Sequence, residues 1–438
     1  MISQAPEFPV FPLSVIPVVA ELVGTPAYLY DEAVIIEKCR NILAMPNAYG
    51  LEPRFAMKAN SSRALLRIIA GQGINIDASS VNEALRARAA GIPADRIMLT
   101  TQEVPYGEQR ENLERLMLEG MRYNVCSPRQ LEKIADFAAA HDFPLSMRVH
   151  PGVGSGESAT RNTGDKYSCF GVHLSDLEAA LAFGREKGLI FDQVHTHIGS
   201  GGDPAVWRDN IDRELGFVET FFPDAVRVSF GGGFCVARVP GEKAADVQAL
   251  GEYAKQRFED FKQRTGRELI MEVEPGTYIV ANAGYAVTRV IDLKKTGDDG
   301  FDFIVIDGGM EVNTRPLLYG SQHPLFVVSA DGDMLSSDLD ATAGSAEVFP
   351  QVVVGRCCES GDSQTLDGDG HICPRPLAKP VPGDFLVIGG CGAYCAAMSP
   401  FNYNSHAQAP ETLLRTDGSL EIIRNPQPLE QIWQNEIG

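Results

Sequence analysis

Lys58, in Phe55-Ala56-Met57-Lys58, follows a short apolar run that reads as a strand, so its amine stands at a strand end. A lysine stripped of hydration there has a lowered pKa, and the free amine can form a Schiff base with a carbonyl. Position alone suits equally well a lysine that reaches out to solvent. Gly231-Gly232-Gly233 follows another apolar run, where bare backbone N–H groups can cradle a phosphate or simply turn the chain tightly. Glu274, ahead of Pro275-Gly276, could pair with a protonated pyridine nitrogen and make that ring an electron sink, or close a structural salt bridge. His197, before Ile198-Gly199-Ser200, can stack on a flat ring. A lone histidine is more often structural, so it counts only beside the others.

The elements that must position these groups alternate. Short apolar runs at 54–57, 74–76, 96–99, 123–125, 145–149, 193–197, 226–230 and 269–273 read as strands. Between them lie amphipathic patterns at 63–70, 81–89, 109–118, 128–140, 177–187, 206–222 and 248–264, with apolar residues three and four apart, as in Leu131, Ile134 and Ala138. Strands alternating with helices imply a parallel sheet, and eight such units closing on themselves give a (β/α)8 barrel of the TIM type. Active sites of such barrels form at the C-terminal ends of the strands. Lys58-Ala59-Asn60, Asp77-Ala78-Ser79, His197-Ile198-Gly199-Ser200, Gly231-Gly232-Gly233 and Glu274-Pro275-Gly276 all fall there, so the reading brings them together in space. Beyond about residue 280 the texture changes to strands at 286–293, 303–306, 325–328, 352–354, 385–388 and 421–423, separated by Gly, Pro and Asp turns. The expected division is a barrel over 40–280 and a β-rich domain formed by 1–39 with 281–438.

Composition narrows the function. The chain has 438 residues, too many for one ordinary core, and 44% hydrophobic with 22% charged residues is the profile of a folded soluble protein. A formal net charge of −20 repels nucleic acid and anionic membranes. Residues 1–30 lack a basic stretch leading into an apolar run, and no segment has the roughly 18 uncharged apolar residues of a membrane span. Nine scattered cysteines suggest reduced thiols and a cytoplasmic location. Cys357, Cys358, His371 and Cys373 lack the paired spacing of structural zinc sites, so no metal is expected. The acidic stretches 330–341 and 367–370 read as solvated turns, since neither completes a twelve-residue calcium loop.

Six segments in order resemble one family: Phe55-Ala56-Met57-Lys58-Ala59-Asn60, His195-Thr196-His197-Ile198-Gly199-Ser200, Gly231-Gly232-Gly233, Glu274-Pro275-Gly276, Cys358-Glu359-Ser360-Gly361-Asp362 and Gly392-Ala393-Tyr394. These are similar to the motifs of the fold type III pyridoxal-phosphate (PLP) decarboxylases, which include diaminopimelate, ornithine and arginine decarboxylases. The resemblance runs over nearly the whole chain. It implies the alanine racemase/ornithine decarboxylase-like fold, a PLP-binding barrel followed by a C-terminal β domain. It implies that Lys58 carries PLP, that His197 stacks on its ring and that Glu274 binds the pyridine nitrogen. Gly231, Gly232, Gly233 and Gly276, with Ser200 and Tyr394, would surround the phosphate. It further implies a homodimer with shared active sites, in which Cys358 and Glu359 come from the partner chain. Cys358 would return a proton after carbon dioxide leaves, and Glu359 would hold the substrate's distal amine.

Within that family, Asn313-Thr314-Arg315-Pro316-Leu317-Leu318-Tyr319 resembles the diaminopimelate branch, in which the arginine and tyrosine grip a carboxylate at the far end of the substrate. Arg315 and Tyr319, with Tyr394, therefore imply meso-diaminopimelate as substrate and lysine as product. Two positions depart from the family pattern: Thr277 stands where an arginine is usual, and Cys169 where a lysine is common. Threonine cannot replace a bidentate charge, which leaves D-lysine, D-ornithine or a carboxylated polyamine open as substrates. A PLP racemase shares the barrel and the lysine, but it needs no Cys358-Glu359 motif and pairs the pyridine nitrogen with arginine.

Overall fold

A computed structural model describes residues 13–155, 163–201, 203–340 and 342–438. The first twelve residues of the N-terminal stretch, and Ala341 at the end of one acidic turn, lie outside the described residues. The chain divides into two compact units: one holds Ile36–Cys235 with Ala244–Ile279, and the other Ser3–Ile35, Val236–Lys243 and Val280–Gly438.

The chain enters the second unit through helix Val15–Val23 and strand β1 (Ala27–Asp31), and helix Glu32–Leu43 then leads to the first. There β2 (Leu51–Ala56), β3 (Asn75–Ala78), β4 (Ile97–Thr100), β5 (Arg122–Val125), β6 (Leu145–Arg148), β7 (Phe191–His195), β8 (Arg227–Ser229) and β9 (Ile270–Val273) form a closed parallel barrel. Its register runs from Phe55 opposite Ile76 round to Leu51 opposite Met271, where β2 meets β9. Every expected barrel strand is present, displaced by at most three residues at either end.

The helices between them start on caps legible in the sequence. The hydroxyl of Ser80 accepts from the Glu83 N–H, while Glu83 Oε2 accepts from Ser79 N–H at 2.7 Å, so two orphan donors at the start of helix Val81–Ala89 are satisfied. Ser127 does the same ahead of Pro128, and Asp203 ahead of Pro204. Helix Pro204–Phe221 packs through buried Trp207, whose ring lies 5.7 Å from Phe230 and 5.6 Å from Phe234. Phe230 in turn meets Phe258 of helix Val247–Thr265 edge to face at 5.8 Å, an arrangement favoured by ring quadrupoles.

The barrel interior is polar where such barrels usually hold branched apolar layers. Glu272 on β9 accepts from Arg54 Nε at 2.7 Å and from Gln193 Nε2 at 2.8 Å. Gln193 lies on β7, so that bond reaches past β8 through the interior. Ser146 donates to Asn124 at 2.9 Å. Arg54, Gln193 and Glu272 are all buried, and removing one partner of such a pair would leave an uncompensated charge at a cost of about 3–5 kcal/mol.

The second unit is a mixed sheet. Its strands are β10 (Gly284–Lys295), β11 (Asp302–Ile306), β12 (Leu325–Val328), β13 (Met334–Ser337), β14 (Val348–Val354), β15 (Arg375–Ala378), β16 (Phe385–Ile388), β17 (Glu411–Leu414) and β18 (Leu420–Arg424). The order is β13-β12-β16-β10-β1-β17-β18, with β11 on β10, β14 on β11 and β15 on β14. A register shift between Val290 and Asp292 lets β10 pair with β1 and β16 along its first half and with β11 along its second. Ile16 and Val19 of the first helix pack on Leu29, Val287, Phe385 and Val387 to form the core. Among the described residues no helix is long and apolar enough to cross a membrane.

Candidate active site

The C-terminal strand ends of the barrel enclose a cavity of about 430 Å3, a size suited to a small ligand. Lys58 after β2, Asp77 on β3 and Ser79 after it, Thr100 at the end of β4 and Thr101 to Glu103 after it, Arg148 on β6, His195 and His197 at β7 and Glu274 after β9 line it, with Phe170. Lys58, His197 and Glu274 were anticipated there. Lys58 sits in a single helical turn, Met57–Ala59, just past the strand. It is exposed between buried Met57 and Ala59, which matches the lysine that reaches out to solvent and not the desolvated amine: the turn lifts Lys58 into the open cavity.

Glu274 is anchored on both oxygens. His195 Nε2 lies 3.1 Å from Oε2, and the Ser229 hydroxyl donates to Oε1 at 3.3 Å. Burial pushes this carboxyl up, but the His195 charge and hydrogen bond, with the Lys58 charge, outweigh it and hold the group down to about 2. Glu274 therefore stays ionised at any working pH. His197 is held neutral, well below its ordinary value, by burial and by the charges of Lys58 and Arg148. Its Nδ1 accepts the Gly199 N–H at 3.1 Å, which places the remaining proton on Nε2.

The glycines are required by close approach. A Cβ on Gly231, whose φ is +65°, would lie 2.7 Å from the Thr196 carbonyl and 2.9 Å from His197 Cβ, and one on Gly232 would lie 2.9 Å from the Glu274 carbonyl. The Glu274 N–H also donates to the Gly231 carbonyl at 2.8 Å. The turn after β8 is thus pressed against His197 and against the backbone of Glu274.

Two further residues line the cavity: Asp77, which the sequence placed at a strand end without a role, and Arg148, which it did not place at the site. Asp77 is buried, its Oδ1 has no hydrogen-bond partner among the described residues, and burial together with the Glu274 charge pushes its carboxyl well up, so it keeps its proton. Arg148 is buried with Nε unpartnered and its guanidinium 4.9 Å from the Phe170 ring. Asp77 was visible as a strand-end acid, whereas Arg148 carried no flanking motif. Behind His197, the Thr196 hydroxyl donates to Glu214 Oε2 at 2.5 Å and accepts from Asn210 Nδ2 at 2.8 Å.

That buried Glu214 yields a prediction. Burial pushes its carboxyl well above the usual range, Thr196 offsets this only in part, and the Glu274 and Glu272 charges add to the rise. The unfolded chain ionises this group near pH 4.5 while the folded one keeps its proton, so the unaltered protein loses stability as pH rises from there. Glu214→Gln preserves the acceptor for Thr196 and has no proton to lose. Its stability relative to the unaltered chain should climb between about pH 4.5 and 7, by up to about 1.4 kcal/mol per pH unit. Paired thermal melts across that range test this, and a flat difference would mean that Glu214 is ionised in the fold.

The second unit gathers the other anticipated residues in two places. Arg315 is buried, and Arg315 Cζ lies 5.8 Å from the Tyr319 ring and 6.0 Å from the Tyr394 ring. Arg315 Nε donates to His323 Nε2 at 3.3 Å and Nη2 to Ser321 at 3.2 Å. Tyr394 takes a φ of +59°, a strained conformation for a residue with a side chain and one concentrated at functional sites. Cys358 and Glu359 are exposed, in a turn held by the Cys358 N–H on Asn404 Oδ1 at 2.7 Å. Cys357 is instead buried, with its thiol 3.4 Å from Glu311.

A pocket with an accessible lysine, a fixed carboxylate, a neutral imidazole, a glycine cradle and unpartnered polar atoms on Asp77 and Arg148 fits pyridoxal phosphate. Residues 33–281 match the family model described as the pyridoxal-binding domain of pyridoxal-dependent decarboxylases. A relative from Escherichia coli (strain K12) named diaminopimelate decarboxylase is 32% identical over 418 residues, covering 94% of each chain. A crystal structure of a diaminopimelate decarboxylase superposes with a TM-score of 0.86 at 31% identity, over 96% of this chain and 95% of the other. Another, from Helicobacter pylori and complexed with L-lysine, gives 0.81 at 25% identity, over 95% of this chain and 98% of that one. The chain belongs to the pyridoxal-dependent decarboxylase family, and pyridoxal phosphate is its cofactor.

Proposed function

We propose that the chain removes carbon dioxide from meso-diaminopimelate and leaves L-lysine. The observation that carries the substrate is Arg315: a buried guanidinium that, among the described residues, bonds to a neutral histidine and a serine and lies near two tyrosine rings, with no acid in those contacts. Such a charge asks for an anionic ligand. Diaminopimelate keeps a carboxylate at the end that does not react, and the names of the relatives agree.

When bound, pyridoxal phosphate supplies the electron sink that takes up the pair released as carbon dioxide departs. Lys58 is the residue that would hold it covalently through Nζ. Gly231, Gly232, Gly233 and Gly276, with Ser200 and Tyr394, would receive the phosphate. Glu274, kept ionised, would hold a proton on the ring nitrogen, and His197 would offer its ring face. Arg315 and Tyr319 would grip the distal carboxylate, Glu359 the distal amine, and Cys358 Sγ would deliver the proton that replaces the lost carboxylate. Cys358 and Glu359 are exposed in the single chain, as befits groups that act in a partner's site, and the reading includes a homodimer. Nine cysteines, all free thiols, suit a reducing compartment such as the cytoplasm.

The direct test is carbon dioxide and L-lysine release from meso-diaminopimelate by the PLP-loaded protein. Faster turnover of D-lysine or D-ornithine would overturn the substrate. Sharing of sites is tested by mixing inactive Lys58→Ala and Cys358→Ala subunits. Random exchange leaves about half the dimers with one intact site, so activity should return to roughly a quarter of normal. No recovery after demonstrated exchange would place both residues in one chain's site.

A further inference from the structure

Cys358 and Glu359 are exposed, yet the turn that carries them is gripped at its stem by two buried acids. Asp362, only 3% exposed, accepts the Cys357 N–H on Oδ2 at 2.8 Å and the Met310 N–H on Oδ1 at 2.6 Å. A Cβ on Gly309 or on Gly355 would run into this carboxylate, so both positions must be glycine to leave it room. Glu311 accepts from Arg356 Nε at 3.1 Å and lies 3.4 Å from the Cys357 thiol. The backbone closes the turn, with the Gly355 N–H on the Asp362 carbonyl at 3.0 Å and the Asp362 N–H on the Glu359 carbonyl at 3.1 Å.

The loop that Asp362 reaches is itself fixed. The Tyr28 hydroxyl of strand β1 donates to the Val312 carbonyl at 2.6 Å, and the Gly309 N–H donates to Glu311 Oε2 at 2.8 Å. Asn313 Nδ2 donates to Gln364 Oε1 at 3.0 Å, and Gln364 Nε2 returns a bond to the Asn313 carbonyl at 3.2 Å. One carboxylate thus ties the Cys358 turn to a loop held by the sheet. Asn404 holds the turn at Cys358 itself: it is exposed, its Oδ1 accepts the Cys358 N–H at 2.7 Å, and its φ is +50°, a conformation that asparagine and glycine tolerate. Burying a carboxylate on backbone N–H groups is costly. What the fold gains by it is a fixed direction for the side chain one residue further on.

We infer that Asp362 and Asn404 are positioning residues, which aim Cys358 Sγ for the return of the proton. This rests on the reading of Cys358 as proton donor. A general acid has to stand within hydrogen-bond reach of the atom it protonates, and a displacement of about 1 Å can cost about 100-fold in rate. Asp362 acts through the Cys357 N–H and Asn404 through the Cys358 N–H.

Asp362→Asn and Asn404→Gly would be made alone and in a Cys358→Ser background, with kcat on meso-diaminopimelate measured per bound cofactor. Asparagine at 362 keeps one acceptor and sets an amide donor against the other backbone N–H. Glycine at 404 removes the acceptor and keeps the backbone conformation. A serine hydroxyl is too weak an acid to replace the thiol, and the residual rate is read as labelled carbon dioxide. Each single variant should lower kcat roughly 10- to 100-fold while Cys358 is present. In the Cys358→Ser background the same changes should cost less than about twofold, because the group they aim is gone. Equal losses in both backgrounds would make the two residues structural and overturn the inference, and so would unchanged kcat in the single variants. Asn404 is exposed, so Asn404→Gly decides the matter alone if Asp362→Asn fails to fold. Normal kcat in Cys358→Ser itself would mean that the proton-donor reading has failed, and this inference with it.

Discussion

Lys58→Ala is expected to abolish carbon dioxide release, by at least about 10^3-fold, and to remove the borohydride-reducible link to the cofactor. Lys58 is the one lysine among the described residues that line the cavity, so none of these can supply another amine. The change should leave the fold intact. Lys58 is exposed, and the strand behind it is held by buried Phe55 and Met57 and by the Arg54 pair with Glu272 at 2.7 Å. Glu274 loses one of the cations that keep it ionised, but the His195 bond at 3.1 Å remains. Stability should therefore move by no more than about 0.5 kcal/mol, the usual range for a surface substitution. Normal turnover with a reducible adduct in this variant would show that another residue anchors the cofactor.

The barrel was legible because its signals are local. Each strand is a short apolar run closed by Gly, Pro or a cap, and each helix carries a three-and-four spacing, so period and punctuation agree within about ten residues. Strand β1 escaped for the opposite reason. Ala27 to Tyr30 are all buried with no alternation, because the strand is central, and its partners lie far along the chain at Val287 and Glu411. Strands β13, β15 and β17 were likewise missed; they are four residues long and owe their place to pairing. Helix Glu32–Leu43 was hidden by its position ahead of the first barrel strand.

The site divides in the same way. Lys58, His197 and Glu274 each end a strand, and the barrel's geometry alone brings them to one cavity. Arg148 and the protonated state of Asp77 depend on what surrounds them in space. An aspartate reads as a charge in sequence, and only its burial beside Glu274 shows that it keeps its proton.

Arg315→Ala is expected to cut kcat/KM for meso-diaminopimelate strongly while leaving D-lysine, which has the same reacting end and no distal carboxylate, far less affected. Losing a charge-assisted contact in a desolvated site costs about 2–5 kcal/mol, or roughly 30- to several-thousand-fold. Part of the loss would be structural, since Arg315 also donates to His323 and Ser321. That part is common to both substrates and cancels in their ratio, so the ratio of kcat/KM values is the quantity to read. Arg315→Lys sharpens the test: it keeps a positive charge but loses the fork, and should recover only a fraction of diaminopimelate use. Equal losses on both substrates would make Arg315 a structural arginine, leaving decarboxylation in place and the distal carboxylate without its anchor.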